Sequence, residues 1–134
     1  MSTLKLEIVT PERKVYEQEV DMVIGRGVFG EFGILPNHMP FVTPLKIAPI
    51  DVKIGDKREQ IAVHGGFLEV FNNRVVVLAE TAELPDDIDL DRALAAKERA
   101  ERRLKAKQAD IDFKRAQLAL QRALNRINVA KSRH

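Results

Sequence analysis

The stretch LPDDIDLDRALAAKER, residues 84–99, decides the fold of this 134-residue chain. All seven glycines and all six prolines lie at or before Pro85. Residues 89–130 contain neither, and the strongest helix formers (alanine, leucine, arginine, lysine, glutamate and glutamine) dominate there. We therefore expect an α+β chain in which a β-domain over residues 1–84 is followed by an α-helical domain over residues 85–134.

The charge of the chain divides near the same boundary. Residues 1–87 carry 9 Lys and Arg against 14 Asp and Glu, which gives −5. Residues 88–134 carry 13 against 6, which gives +7, so the total of +2 conceals the asymmetry. A single domain rarely divides so cleanly, so the charges also favour a boundary near residues 84–88.

Composition excludes several kinds of site. Cysteine is absent, which excludes disulfides, thiolate catalysis and Cys-ligated zinc. The three histidines lack metal-ligand spacing, so we expect no metal site and give them structural or surface roles. No serine or threonine lies in a nucleophile motif, so we expect no catalytic residues. The chain shows no leader pattern and no apolar run long enough to cross a membrane, which favours the cytoplasm.

Short alternating segments fill the part before the boundary. Residues 4–9 and 47–54 alternate apolar and polar side chains, as half-buried strands do. The other strand-like segments and turn candidates are residues 15–24, 60–63, 66–70 and 74–78, Gly55-Asp56 and Asn72-Asn73. Many short strands with regular turns are typical of a β-sandwich or a barrel.

The second part predicts two helices. Apolar residues recur at helical spacing, namely Leu90, Ala93, Leu94, Ala100 and Leu104, then Phe113, Ala116, Leu120, Leu124 and Ile127. One unbroken helix of about 42 residues would be ~63 Å long and would need a partner. We expect a break near Gln108–Asp110 and an antiparallel two-helix hairpin, with Asp87 or Asp89 capping the first helix and Asp110 or Asp112 the second. An alanine-rich seam buries little apolar surface, so this hairpin should be weakly held.

A glycine motif in the β-part is not a nucleotide loop. Residues 25–30 spell G-x-G-x-x-G, but a dinucleotide site needs a helix directly after the glycines. Gly33, Pro36 and Pro40 follow instead. We interpret the glycines as part of a tight β-turn or bulge.

Arginines of the second part form a candidate anion site. Arg92 and Arg99 are seven residues apart on one helix, and Arg122 and Arg126 are four apart on the other. If the hairpin turns near residue 108, Arg92, Arg122 and Arg126 converge, and converging guanidinium groups bind phosphate oxygens well. Spacing alone also allows a solvated basic face, or a patch for nucleic acid or another acidic partner. The lack of stacking aromatics argues against nucleic acid.

Two motifs resemble a known family. Gly-Glu-Phe-Gly-Ile-Leu-Pro-Asn-His-Met-Pro, residues 30–40, resembles the signature loop of epsilon subunits of F-type ATP synthases. Val-His-Gly-Gly-Phe-Leu-Glu-Val, residues 63–70, resembles that family's Gly-Gly-Phe strand segment, and residues 6–11 also fit. Asn37 stands where glycine is common, and asparagine tolerates the same left-handed backbone.

The resemblance implies a ten-stranded β-sandwich on the central rotor. It would bind the gamma subunit and the c-ring and couple proton flow to ATP synthesis, at the cytoplasmic face of the cell membrane and without catalysing a reaction itself. Gly30, Glu31 and His38 match the family's rotor-contact region. The hairpin resembles an inhibitory element that extends along gamma and docks on the beta subunit of the catalytic head, which also contains alpha subunits. Candidates for the inhibitory contact are Arg99, Arg103, Arg115 and Arg122.

Residues 88–93, Ile-Asp-Leu-Asp-Arg-Ala, are similar to the motif of epsilon subunits that bind ATP. The resemblance implies that ATP, as a regulatory ligand, stabilises the folded hairpin. Carried over by position, Glu83, Ile88, Asp89 and Ala93 would surround adenine and ribose. Arg92, Arg99, Arg122 and Arg126 would bind the phosphates, in agreement with the convergence argued from spacing. The role of magnesium is left open.

Overall fold

The structure, a computed structural model, describes residues 2–106 and 109–132. Within these ranges, eight strands precede a 3-10 turn at Pro85–Asp87 and two α-helices. The strands are β1 Leu4–Val9, β2 Lys14–Val20, β3 Met22–Gly27, β4 Gly30–Ile34, β5 Phe41–Ile54, β6 Lys57–Phe71, β7 Arg74–Ala79 and β8 Ala82–Glu83. The helices are α1 Leu90–Lys105 and α2 Asp110–Lys131. The predicted order, β-structure followed by a helical hairpin, is confirmed.

The two longest strands, β5 and β6, connect both layers of the β-structure. They contain 14 and 15 residues and pair antiparallel from Phe41–Val70 to Ile54–Lys57. At about 3.3 Å per residue each would span ~50 Å if straight, more than a small domain can accommodate. The second half of β6 pairs with β7, whereas its first half pairs with β8. The sheet order is β2-β1-β7-β6-β5-β3-β4, with β8 also on β6.

The strand count differs from the ten that the resemblance implies. The described residues contain eight strands because β5 and β6 each continue from one layer into the other without a break. Segments that the sequence separates, residues 60–63 and 66–70, are therefore parts of one strand. The sequence analysis also missed β4 and the two-residue β8. The class, a sandwich followed by two helices, is as expected.

Gly66 marks the point where β6 bends. Its φ of 118° lies in the region that favours glycine. A Cβ at this position would lie 2.1 Å from the carbonyl oxygen of Leu78. The sheet register also skips one residue on each strand here, between the pairs Leu45–Gly66 and Ile47–His64. The Gly-Gly pair thus lets the strand turn while neighbouring backbone packs closely.

One apolar core lies between the layers. Its fully buried side chains come from strands of both layers and include Leu6, Ile34, Ile61, Leu68 and Val77. Each large aliphatic side chain of this kind contributes about 1.5–3 kcal/mol by leaving water. The core therefore holds the two layers together as one body.

Helix α1 begins as the sequence predicts. Asp89 is its N-cap, and the Asp89 carboxylate accepts a hydrogen bond of 3.1 Å from the backbone N–H of Arg92. The expected break between helices is present, although Gln108 lies outside the described residues. The capping of α2 by Asp110 or Asp112 is wrong, because Ala109 is the N-cap and makes no side-chain cap bond. Both aspartates lie in the first turn instead, where their charge complements the helix dipole.

Alanine lines the seam between α1 and α2. The buried residues there are Ala93 and Ala100 on α1 and Ala116 and Ala123 on α2. The larger Leu94, Phe113 and Leu124, which also recur at helical spacing, are each about two-fifths exposed. A seven-residue alanine repeat makes a narrow seam, so residues one step away fall outside it.

The C-terminal half of α2 attaches the hairpin to the sandwich. Asn125, Ile127 and Val129 are buried, and α2 contacts β5 and β6. The Asn125 Nδ2 donates a hydrogen bond of 3.2 Å to the carbonyl of Val63. The division into a β-sandwich domain over residues 1–84 and a helical domain over residues 85–134 stays a prediction. Across the described ranges, neither helix is long and apolar enough to span a membrane.

Candidate functional site

A cavity of about 280 Å³ opens between the end of the sandwich and the hairpin. Its lining comes from β8, the 3-10 turn and both helices. The lining residues are Glu83, Asp87, Asp89, Arg92, Ala93, Ala96, Arg99 and Arg126. Small-molecule sites usually occupy about 300–1,000 Å³, so this cavity has the size of a small ligand or of part of a larger one.

The local sequence explains why one face of α1 lines the cavity. Asp89 fixes the start of the helix, and positions 92, 93, 96 and 99 then recur at intervals of one, three and three residues on the same face. The small side chains of Ala93 and Ala96 leave the space that the cavity occupies. Along the helix, Arg92 precedes these alanines and Arg99 follows them. The cap thus sets which side chains reach the site.

Glu83 connects the sandwich to α2. The strand pair Ala62–Glu83 holds its backbone at the edge of β6. The Glu83 Oε1 accepts hydrogen bonds from Arg126 Nε at 2.5 Å and from His64 Nε2 at 3.2 Å. These hydrogen bonds, that of His64 first and that of Arg126 next, lower the pKa of Glu83 although burial opposes them. The carboxylate is therefore ionised at neutral pH and acts as a hydrogen-bond acceptor.

Two arginines of the cavity are available to an anion. Arg126 is engaged by Glu83, whereas Arg92 and Arg99, both exposed, have no ion pair among the described residues. Guanidinium groups bind phosphate oxygens through paired N–H donors. The site thus combines cationic donors on α1 with a carboxylate acceptor on β8, a set that suits a ligand having both phosphates and N–H or O–H groups.

Six of the eight residues predicted to bind ATP line this cavity, and two do not. Ile88 is half-buried just before the Asp89 cap, and Arg122 lies one turn before Arg126 on α2, outside the lining. Two further lining residues were not predicted. Ala96 could have been found from its helical spacing with Ala93, but Asp87 could not, because its place depends on the 3-10 turn.

The residues predicted to contact the rotor lie around the β3–β4 turn and the loop after β4. Gly30 begins β4 with a φ of 130°, and the exposed Glu31 lies 3.7 Å from Arg26 Nε. The ring of His38 packs edge-on against Phe41, with centroids 5.9 Å apart. Large apolar side chains on the same two segments are exposed, namely Val28, Phe29, Leu35 and Met39. The G-x-G-x-x-G stretch contains the tight turn between β3 and β4, which pair at Gly27–Gly30, in agreement with the predicted turn or bulge.

The four arginines predicted to inhibit hydrolysis lie on both helices. Arg99 lines the cavity. Arg103 and Arg115 are exposed on α1 and α2, and Arg122 is partly buried. Their roles stay predictions.

Two family models together match almost the whole chain. The ATP synthase delta/epsilon chain β-sandwich domain matches residues 3–85, and the corresponding long α-helix domain matches residues 86–131. The ATP synthase epsilon chain of Halalkalibacterium halodurans is 56% identical over 131 residues, covering 97% of this chain and 98% of that one. The chain belongs to the epsilon-subunit family of bacterial F-type ATP synthases. The Brevibacillus brevis epsilon chain is 59% identical and covers 98% of this chain and 100% of its own length.

Two solved structures share the fold of this chain at low sequence identity. A chain in the mitochondrial ATP synthase of Euglena gracilis superposes with a TM-score of 0.82 at 20% identity, covering 100% of this chain and 83% of that chain. A chain in the central stalk and c-ring of the Tetrahymena thermophila enzyme gives 0.58 at 12% identity, over 98% and 96% of the two chains. These chains therefore share the fold although few of their residues are identical to those of this chain.

Proposed function

We propose that this chain is a non-catalytic central-stalk subunit that couples proton translocation to ATP synthesis and regulates ATP hydrolysis through its hairpin. ATP in the cavity stabilises the docked hairpin. When released, the hairpin extends along gamma and its basic residues dock on the beta subunit. The observation that carries the proposal is the cavity shared by Glu83 and by arginines of both helices, because a ligand there contacts both regions.

The energetics suit a ligand-controlled switch. A ligand at 100 times its dissociation constant stabilises the state that binds it by about 2.7 kcal/mol. The hairpin seam is made of alanines, and the buried residues Asn125, Ile127 and Val129 that attach it to the sandwich lie in the C-terminal half of α2. A few kcal/mol therefore suffice to shift the equilibrium between docked and extended states.

The docked hairpin also leaves apolar side chains uncovered. Leu94, Ile111, Phe113, Leu118 and Leu124 are each exposed by 38% or more. Exposed apolar side chains on a helix commonly serve a second packing arrangement or a partner. They support a second state in which α1 and α2 pack against gamma or the catalytic head.

The sandwich offers two apolar surfaces for rotor partners. One is the turn region with Phe29 and Met39, beside Gly30, Glu31 and His38, which we assign to the c-ring and gamma. The other is the outward row across the strands formed by Phe67 and Leu78, which pair in adjacent strands and are about half exposed. We infer that these surfaces attach the chain to the rotor at the cytoplasmic face of the membrane, as a peripheral subunit.

Calorimetric titration of the full chain with ATP tests the ligand. We expect saturable binding that Asp89→Ala or Arg92→Ala weakens, by about tenfold or more for the arginine, because a hydrogen bond to a charged group is worth about 1.5–3 kcal/mol. Arg102→Ala, which removes an exposed arginine of α1 outside the cavity, is the matched control and should bind as the parent does. No saturable signal up to millimolar ATP would disprove the sensor role.

Reconstitution with gamma and the catalytic head tests regulation. ATP hydrolysis is compared for the full chain and for a chain that ends before residue 88, at low and high ATP. We expect the truncated chain to relieve inhibition at low ATP and to remain bound to gamma. Unchanged hydrolysis would disprove inhibition by the hairpin, and strongly salt-dependent binding to nucleic acid without binding to gamma would favour the alternative of a basic binding module.

A further inference from the structure

We propose that His64 is a positioning residue for the nucleotide site: it holds one oxygen of the Glu83 carboxylate so that the other faces the ligand. The inference rests on the proposed function, because it takes the cavity to be the ATP site. His64 itself does not line the cavity, so it would act through Glu83 alone.

The position of His64 is fixed from several sides. Its side chain is fully buried in β6, and its backbone N–H donates to the carbonyl of Thr81 at 3.0 Å. The preceding residue, Val63, accepts the hydrogen bond from Asn125 of α2. The imidazole ring is therefore held between the sheet and the docked helix, next to the carboxylate of Glu83.

The hydrogen-bond partners assign the tautomer of the ring. The Nε2 of His64 lies 3.2 Å from Glu83 Oε1, whereas its buried Nδ1 has no partner among the described residues. A proton on Nε2 gives the ionised carboxylate a donor and leaves only a lone pair on Nδ1. A neutral ring with its proton on Nδ1 would bury an unpaired N–H and place a lone pair against a negative oxygen, which costs more.

The two oxygens of Glu83 have different surroundings. Oε1 accepts from both His64 and Arg126, and Oε2 forms no hydrogen bond within the described residues. Because Glu83 lines the cavity, Oε2 can accept an N–H or O–H of the ligand. Because Oε1 already accepts hydrogen bonds from the protein, the carboxylate is ordered before the ligand binds, and binding does not include the entropic cost of ordering it.

The backbone of Glu83 does not supply this order by itself. Strand β8 is two residues long and is joined to β6 by only the pairs Ala62–Glu83 and Val63–Ala82. Arg126 could also draw the carboxylate towards α2 if it were the only donor, since it belongs to the movable hairpin. His64 is part of the sandwich, and so keeps Glu83 in place whether or not the hairpin is docked.

Binding of two probes to the full chain separates positioning from packing. The probes are ATP and inorganic tripolyphosphate, which carries the phosphates but no group for Glu83 to accept from. In His64→Leu we expect the dissociation constant for ATP to rise about tenfold, a change of about 1.4 kcal/mol. The constant for tripolyphosphate should change by less than about twofold, because the arginines remain.

Rescue and a double-mutant cycle complete the test. His64→Gln places an amide N–H near the position of Nε2 and should restore ATP binding. In a Glu83→Ala background, His64→Leu should cause no further loss, since the residue through which it acts is gone. Equal losses for both probes, additive losses in the cycle, or no rescue by glutamine would each overturn the proposal.

The outcomes distinguish this inference from the proposed function. If the parent does not bind ATP, both fail. If the parent binds ATP and His64→Leu binds equally well, the positioning role fails and the sensor role stands. Circular dichroism checks folding of each variant, and if His64→Leu does not fold, His64→Asn takes its place, because asparagine keeps a polar side chain that is too short to reach Glu83.

Discussion

The sandwich and the hairpin bury side chains of different sizes, and for that reason burial stabilises them by different amounts. The sandwich core contains Leu6, Ile61 and Leu68 with no measurable exposure. The hairpin seam contains alanines, each of which lacks three carbons of a leucine, and a buried methylene is worth about 0.8 kcal/mol. The hairpin seam therefore gains less free energy from burial than the sandwich core does.

The largest expected effect is in the sandwich core. Ile61→Ala should lower the free energy of unfolding by about 2–5 kcal/mol, through lost burial and a cavity. The hairpin counterpart, Ala100→Gly, should cost only about 1 kcal/mol, the penalty for glycine in a helix. Urea unfolding followed by circular dichroism measures both changes. Similar losses in the free energy of unfolding for the two variants would contradict the difference between the sandwich and the hairpin.

The next effect concerns overpacking of the seam. Ala123→Leu forces extra carbons between closely packed helices and should destabilise the hairpin by about 1–3 kcal/mol. Amide hydrogen exchange should speed up in α1 and α2 while the amides of β6 stay protected. The matched control is Ala95→Leu on the exposed side of α1. Faster exchange in β6 as well would show that the two regions unfold together.

Acid should release the hairpin before it unfolds the sandwich. The pKa of Glu83 is lowered from 4.5 by His64 and Arg126. The contribution of Glu83 to the stability of the docked hairpin is therefore fully present above about pH 4.5 and is lost as the pH falls through the lower folded-state pKa. Exchange protection of α2, corrected for intrinsic rates, should decrease over that window. Glu83→Gln should remove this part of the acid response, and an unchanged response in that variant would contradict the assignment.

The smallest effect is a titration inside the sandwich. Burial, and secondarily the charge of Glu59, raises the pKa of Tyr16 to about 12. The stability that Tyr16 contributes as a neutral phenol is present below about pH 10 and lost as the pH rises through its folded-state value. Tyr16 is the single tyrosine, so ultraviolet absorbance reports it directly. Ionisation near pH 10 in the folded chain would show that the sandwich does not exclude water there.

Sequence patterns predicted most of the fold because they are local. The segment of alternating side chains, residues 4–9, has the same bounds as β1. The absence of glycine and proline after residue 88 predicted the helical hairpin. Asn72 and Asn73, with φ of 47° and 59°, form the expected turn. The continuity of β6 through Gly65 and Gly66 could not be predicted, because only the partner strand shows that pairing resumes on both sides of the bend.

Helical spacing placed Arg92 and Arg99 on one face of the first helix, and the family resemblance added Asp89 and Ala93 as candidate site residues. Asp89, Arg92, Ala93 and Arg99 line the cavity because one capped helix brings them to one face. His64 was missed, since nothing in the order of residues shows that β6 and β8 are neighbours. The exclusion of Arg122 depends on how α2 is rotated against the sandwich, which the four-residue spacing to Arg126 does not specify.

The long pairing of β5 with β6, which skips one residue on each strand, has a mechanical consequence. Backbone hydrogen bonds between antiparallel strands lie across the strand direction, and here they run from Phe41–Val70 to Ile54–Lys57. A force along the strands is distributed over all the hydrogen bonds between β5 and β6. The strands therefore resist sliding past each other, because the bonds do not break one at a time. A torque applied at one layer is therefore transmitted to the other through continuous backbone, as a rigid coupling between moving parts requires.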